Sequence, residues 1–228
     1  MRRTLTLDLF PLSTVLVPGA TLRLHVFEDR YKKLIGTCLE SGSPFGVVLD
    51  KSGNEVGDDL DPANVGTTAE IREVTHLSQG RLYIVTRGIR RFRVDRFLQT
   101  KPFWTAEVSY LDELLGPAET ALRLRATALE RFRDYLQALL SLSGQQLEVV
   151  QLPDDAAASS YLIADAMQVD APRKQLLLEA PSAAERLTAE LKLLDLEIRR
   201  LRAARSGEGG SDDADQRRNT LTVRISLN

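Results

Sequence analysis

Cysteine occurs once in the 228 residues, at Cys38. One thiol builds neither an intrachain disulfide framework nor a cysteine-based zinc site. A reducing, cytoplasmic setting fits that scarcity. Histidine is nearly as sparse, with only His25 and His76, so a histidine relay or metal cluster has little to draw on, and no cofactor or metal is expected. No apolar run approaches the roughly 18 residues that a membrane-spanning helix needs, so no membrane contact is expected. The start, MRRTLTLDLF, carries two arginines, but Asp8 and Pro11 interrupt any signal-peptide core. An excess of either charge is missing too, with 30 Lys and Arg against 32 Asp and Glu. That balance disfavours nucleic acid, whose dedicated binders carry a basic excess.

What is present divides by period. Thr4 to Leu9 alternates, with Leu5, Leu7 and Leu9 on one face, as a half-buried strand requires. Val15–Val17 is a short apolar run that reads as a second strand. Pro18-Gly19 fits a type II turn, because proline fixes φ and glycine accepts a positive φ. Leu22, Leu24 and Val26 alternate again. After Phe27 the period turns helical: Tyr31, Leu34, Ile35, Cys38 and Leu39 share one face. Gly42 suits a helix C-cap. Five further strands are expected at Phe45–Leu49, Thr67–Ile71, Leu82–Thr86, Phe92–Phe97 and Thr105–Tyr110. Many short strands with one early helix predict a closed or nearly closed barrel crossed by that helix.

Helical spacing takes over at Gly116-Pro117. A first stripe is Leu122, Leu129, Phe132, Leu136 and Leu139. Asp154 or Asp155 suits the cap of a shorter helix, and Pro172 the first turn of another. Ser182 and Glu185 form a capping box before a long helix carrying Leu187, Leu191, Leu194, Ile198 and Leu201. The predicted organisation is α+β: a barrel over residues 1–115, a helical bundle over 116–205, a polar linker over 206–218 and a strand-like tail over 219–228.

Several motifs suggest chemistry and fail on their details. Ser182 in PSAAER is explained by capping, without a nucleophilic role. DKSGNEVGDDLD, residues 50–61, has Glu55 where a calcium loop needs glycine. GEGG, residues 207–210, opens no helix and so cradles no phosphate. The run RGIRRFRVDR, Arg87 to Arg96, holds five arginines. It reads either as an RNA-binding face, with Phe92 and Phe97 for stacking, or as a strand with charged outward positions, the reading the neutral charge balance favours. In FWTAEVSY, Trp104, Ala106, Val108 and Tyr110 share the expected core face. Phe103 falls opposite and is the candidate partner contact.

The segment LFPLSTVLVPGATLRLHVFEDRY, residues 9–31, resembles the opening signature of the substrate-binding domain of Lon proteases. Phe10, Pro11, Leu12, Pro18, Gly19, Phe27, Glu28, Arg30 and Tyr31 carry the likeness. The first motif departs by one residue, with Asp8-Leu9 for the usual Pro-Leu. VGTTAEIREV (65–74), GRLYIVTRGIRRFRV (80–94) and KQLLLEAPSAAERL (174–187) extend the likeness over roughly residues 5–203. It implies a PUA-like β-barrel joined to a C-terminal helical bundle, with Glu28 and Arg30 in polar contacts where the sheet hands over to the crossing helix.

A Lon protease also carries an ATPase module and a Ser-Lys peptidase domain, whose motifs are missing here. The resemblance therefore implies a stand-alone, non-catalytic bacterial module that recognises exposed hydrophobic segments of unfolded or partly folded proteins, as adaptor or holdase. A protease complex is a further expected partner, and the tail a route to a homo-oligomer. The competing readings are an RNA-binding PUA-like module using Arg87–Arg96 and a small-molecule-binding barrel.

Overall fold

The computed structural model describes residues 4–52, 60–142 and 152–207. The chain runs β1 (Thr4–Leu12), β2 (Thr21–Val26), α1 (Asp29–Ser41), β3 (Phe45–Asp50), β4 (Pro62–His76), β5 (Leu82–Gln99), β6 (Trp104–Tyr110), α2 (Ala118–Leu142), α3 (Ala156–Ala166), α4 (Ala171–Glu179) and α5 (Ala183–Gly207). A 3-10 turn at Ser78–Gly80 joins β4 to β5. The fold is α+β, a sheet followed by helices.

The strands form one sheet in the order β2–β5–β4–β3–β1–β6. Because β5 also pairs with β6, five strands make a hydrogen-bonded circuit and β2 hangs outside it. The nearly closed barrel expected is thus this curled sheet, with β2 as an added edge strand. The curl comes from β5, which the sequence divides into two strands. Its first half pairs with β2 and its second with β6.

Gly88 marks the join. A side chain there would place its Cβ 2.4 Å from the Val17 carbonyl oxygen. Instead the Gly88 N–H donates to the Ala20 carbonyl at 2.9 Å, and its own carbonyl accepts from the Gly19 N–H at 2.8 Å. Val15–Val17, expected as a strand, is a buried segment outside the sheet. It leads into the Pro18-Gly19 turn, where Gly19 has φ 85° and the Ala20 N–H donates to Val17 at 3.1 Å.

Leu7, Leu9, Val48, Phe92, Val94, Ala106 and Val108 form a core cluster within the sheet, with Phe97, Trp104 and Tyr110 packed on it. Trp104 is only half-buried and meets Phe97 edge-on at 5.2 Å. Phe103, the expected outward contact, is buried. It precedes a strand held between β1 and β5, and Thr105 and Ser109 on the same alternate positions are buried as well. Both faces of β6 are covered, so alternation there separates core from core.

The residues divide into two compact units. The first runs to Glu113 and also includes Ala164–Ala180; the second comprises Leu114–Ile163 and the chain from Pro181. The helical unit is therefore discontinuous, unlike the single run 116–205 read from the sequence. The reason lies in two side chains. Arg91 Nη1 donates to the carbonyls of Leu178 at 2.8 Å and Ala180 at 2.7 Å, and its Nη2 lies 3.3 Å from Glu113. Gln175 Nε2 donates to the Val65 carbonyl at 3.0 Å. Arg91 is thus buried where alternation places it outside. A register shift between Thr67 and Ala69 in the β4–β5 ladder lies opposite this stretch.

In the second unit α2 packs on α5. The buried face of α2 is Ala121, Ala128, Phe132, Tyr135, Leu136 and Leu140. Leu122 is exposed instead, and the small alanines take the first contact positions. Asp155 caps α3 through the Ala158 N–H at 2.7 Å. The capping box stands as read: the Glu185 N–H donates to Ser182 Oγ at 3.3 Å, and Ser182 Oγ donates to the Glu185 carboxylate at 3.1 Å. The linker and tail expected at 206–218 and 219–228 lie outside the described residues beyond Gly207, as does most of the loop compared with a calcium site.

Candidate functional site

A cleft of about 210 Å³ opens where the sheet gives way to α1. Its wall begins at the end of β1, with Phe10, Pro11 and Leu12. The end of β2 adds Leu24, His25 and Val26, and Phe27, Glu28, Arg30 and Tyr31 complete it through the first turn of α1. Asp50 from the end of β3, with Leu60 and Ser13, closes the rim.

The sequence dictates this local turn. Glu28 is the N-cap of α1, with ψ 135°, and its carbonyl accepts from the Tyr31 and Lys32 N–H groups at 3.1 and 2.9 Å. Its side chain does not cap. It is taken by Arg30, whose Nη2 and Nε lie 2.8 and 2.9 Å from Glu28 Oε2. Arg30 in turn covers the Tyr31 ring at 4.7 Å, and that ring stacks on Phe10 at 3.9 Å. Carboxylate, guanidinium and two rings thereby lock the end of β1 to the start of α1. The polar contacts expected for Glu28 and Arg30 are this ion pair.

Burial pushes the Tyr31 hydroxyl up to about 12, so it stays neutral. For Asp50, burial raises the carboxyl, but hydrogen bonds from Ser52 Oγ at 2.7 Å, the Asp61 N–H at 2.8 Å and the Ser52 N–H at 3.1 Å outweigh it. The net shift is downward, and Asp50 is a charged group with its oxygens already occupied.

Phe27 differs from its neighbours. It is 55% exposed, while Phe10 and Tyr31 are buried. Its ring tilts against His25 at 5.8 Å, leaving an apolar surface at the mouth of the cleft. Seven of the nine signature residues therefore line one cleft, and Pro18 and Gly19 form the turn that starts β2 instead. Phe103 does not line it. Sequence reasoning missed His25, Asp50 and Leu60. His25 gave a weak signal by following the alternation of β2 up to Phe27. Asp50 and Leu60 gave none, since they reach the rim from a different hairpin.

Among the described residues no cluster of His, Cys, Asp and Glu could hold a metal, and no helix is long and apolar enough to cross a membrane. The arginine run is not one open basic face. Arg91 is buried, Arg90 is paired with Asp112 at 3.3 Å, and Arg96 with Glu107 at 2.8 Å.

Comparison with known proteins bears on the family and the fold. Residues 6–195 match the model of the ATP-dependent protease La (LON) substrate-binding domain. The crystal structure of a Lon N-terminal domain protein from Xanthomonas campestris is 30% identical, with a TM-score of 0.60, over 82% of this chain and 98% of that one. The N-terminal domain of the Mycobacterium avium complex Lon protease has the same fold, with a TM-score of 0.58 at 19% identity, over 83% of this chain and 98% of that one. Among curated relatives, the Lon protease of Cytophaga hutchinsonii is 26% identical over 84% of this chain and 24% of its own length. That of Paraburkholderia phytofirmans is 28% identical over 94% and 27%. The chain thus spans about a quarter of the length of these proteases. It belongs to the Lon substrate-binding domain family.

Proposed function

We propose that the protein is a non-catalytic recognition module that seats exposed apolar side chains of unfolded polypeptide in the Phe27 cleft, acting as an adaptor or holdase. The observation that carries this reading is the exposed Phe27 ring at the mouth of a cleft built by the family signature. A space of about 210 Å³ accepts one or two side chains, so the ligand is an extended segment. Burying two large apolar side chains contributes about 3–6 kcal/mol before ordering costs. With flanking contacts that supports dissociation constants on the order of micromolar, as in small transient interfaces. The partial burial and pairing of the arginines weigh against the RNA reading.

Titration of a fluorescent, reduced and carboxymethylated polypeptide at low and high salt tests this. Binding is expected to survive salt, because apolar burial is not screened. Phe27→Ala is expected to weaken it about tenfold, the loss of roughly 1.4 kcal/mol, with an unchanged melting temperature since the ring is mostly in solvent. Binding that ignores Phe27→Ala, or RNA binding that collapses with salt, would overturn the proposal.

A further inference from the structure

β2 has a strand on one side only. Among the described residues it pairs with β5, and no backbone hydrogen bond from another segment reaches Thr21–Val26. The register shows which groups this leaves over. Thr21 lies opposite Arg87, so Ala20 lies opposite Gly88, and the Gly88 N–H donates to the Ala20 carbonyl at 2.9 Å. Hydrogen-bonded and non-bonded pairs alternate along an antiparallel ladder. Leu22, Leu24 and Val26 therefore turn their backbone groups to Thr86, Ile84 and Leu82, and Thr86 Oγ1 also donates to the Leu22 carbonyl at 3.1 Å. Thr21, Arg23 and His25 turn theirs to the open edge, and their side chains are exposed as well.

We infer that an extended segment of unfolded polypeptide, with a carboxylate on one face and apolar residues on the other, adds as a strand to the edge of β2. This mode of binding rests on the proposed recognition of unfolded polypeptide and states how the chain is held. Outward N–H and carbonyl groups at every second residue are complemented by the backbone of another strand. Charge selects the occupant. Arg23 is exposed, and among the described residues no carboxylate pairs with it. Directly opposite residues bring their Cβ atoms to about 5 Å, so an aspartate or glutamate across from Arg23 is favoured. β2 itself holds no acidic residue. A second copy paired with like faces together sets Arg23 against Arg23, His25 or Thr21, so the arginine guards the edge against self-pairing. The apolar residues of the added strand continue the row of Leu22, Leu24 and Val26. The edge also leads into the cleft, since Leu24, His25 and Val26 line it and Phe27 stands at its mouth. A strand laid along the roughly 20 Å of β2 thus delivers a side chain to Phe27.

End-capped peptides alternating valine with glutamate test this on the full chain. One version is N-methylated at every valine and another at every glutamate, which removes the N–H donors along one edge and keeps every side chain. One version is expected to bind as the unmethylated peptide does and the other to lose affinity about tenfold or more, because only one edge faces β2. The unmethylated peptide is expected to slow amide exchange at Thr21, Arg23 and His25 about tenfold, with β3 unchanged. Arg23→Glu is expected to weaken binding of this peptide about threefold and to favour one with lysine in place of glutamate. Equal behaviour of the two methylated versions, or unchanged exchange at β2, would overturn strand addition. The Phe27→Ala titration reports separately on the cleft. Polypeptide binding lost in that variant, with the two methylated versions alike, leaves the cleft reading standing and removes this one.

Discussion

Arg91 and Glu190 show what a single buried ionisable group does in each unit. The Arg91 guanidinium holds the carbonyls that end α4, so its removal leaves buried acceptors without a donor. Arg91→Met is expected to cost about 3 kcal/mol. The check is the urea midpoint, which should fall with an unchanged slope. Glu190 lies fully buried beside Arg186, whose Nε donates to Ser160 Oγ at 2.8 Å and whose guanidinium covers the Tyr161 ring at 3.7 Å. Burial holds the Glu190 carboxyl well above its ordinary 4.5, an effect that Arg186 offsets only in part. The folded chain therefore keeps a proton that the unfolded chain releases near pH 4.5. Stability from this group is whole below that pH and falls as pH rises toward the folded value, by at most about 1.4 kcal/mol per pH unit. Denaturant midpoints from about pH 4 to about pH 8 should show the decline, and Glu190→Gln should flatten it.

At the scale of elements, β5 decides the shape of the sheet, and Gly88 lets it pass under the Val15–Val17 segment. Gly88→Ala puts a methyl group against backbone that cannot retreat as a flexible side chain could. A loss of about 1–3 kcal/mol is expected, read as a lower melting temperature. The start of α5 is a milder case. Ser182→Ala removes the acceptor for the Glu185 N–H and is expected to cost about 1 kcal/mol. The capping box was legible in sequence because both partners lie within one turn. The two halves of β5 were not legible as one strand, since its continuity depends on partners from β2, β4 and β6.

At the scale of the molecule, the helix α4 lies with the strands although the sequence places it among helices. A fragment of residues 1–115 lacks the acceptors for Arg91 and the Gln175 donor to Val65. It is expected to melt well below the full chain or to aggregate. Adding residues 164–180 as a separate peptide should raise its melting temperature. A fragment as stable as the full chain would show that α4 contributes little to the strand unit. The family assignment covers both units, since the matched residues run from 6 to 195.

The sequence by itself determined whatever depends on neighbours in the chain. Local alternation set most strands, the i, i+3, i+4 face set Tyr31, Leu34, Ile35 and Cys38 on α1, and Pro18-Gly19 set its turn. The motif around Phe27-Glu28-Asp29-Arg30-Tyr31 also carried the family. Tertiary structure alone decided which faces were covered. Phe103 went inside although it falls opposite the expected core face, and Arg91 went inside because α4 returns to β5. It also brought Asp50 and Leu60 to the cleft beside Phe10 and Tyr31. Periodicity reports that two faces differ, but burial depends on what packs against each, and those partners lie tens of residues away.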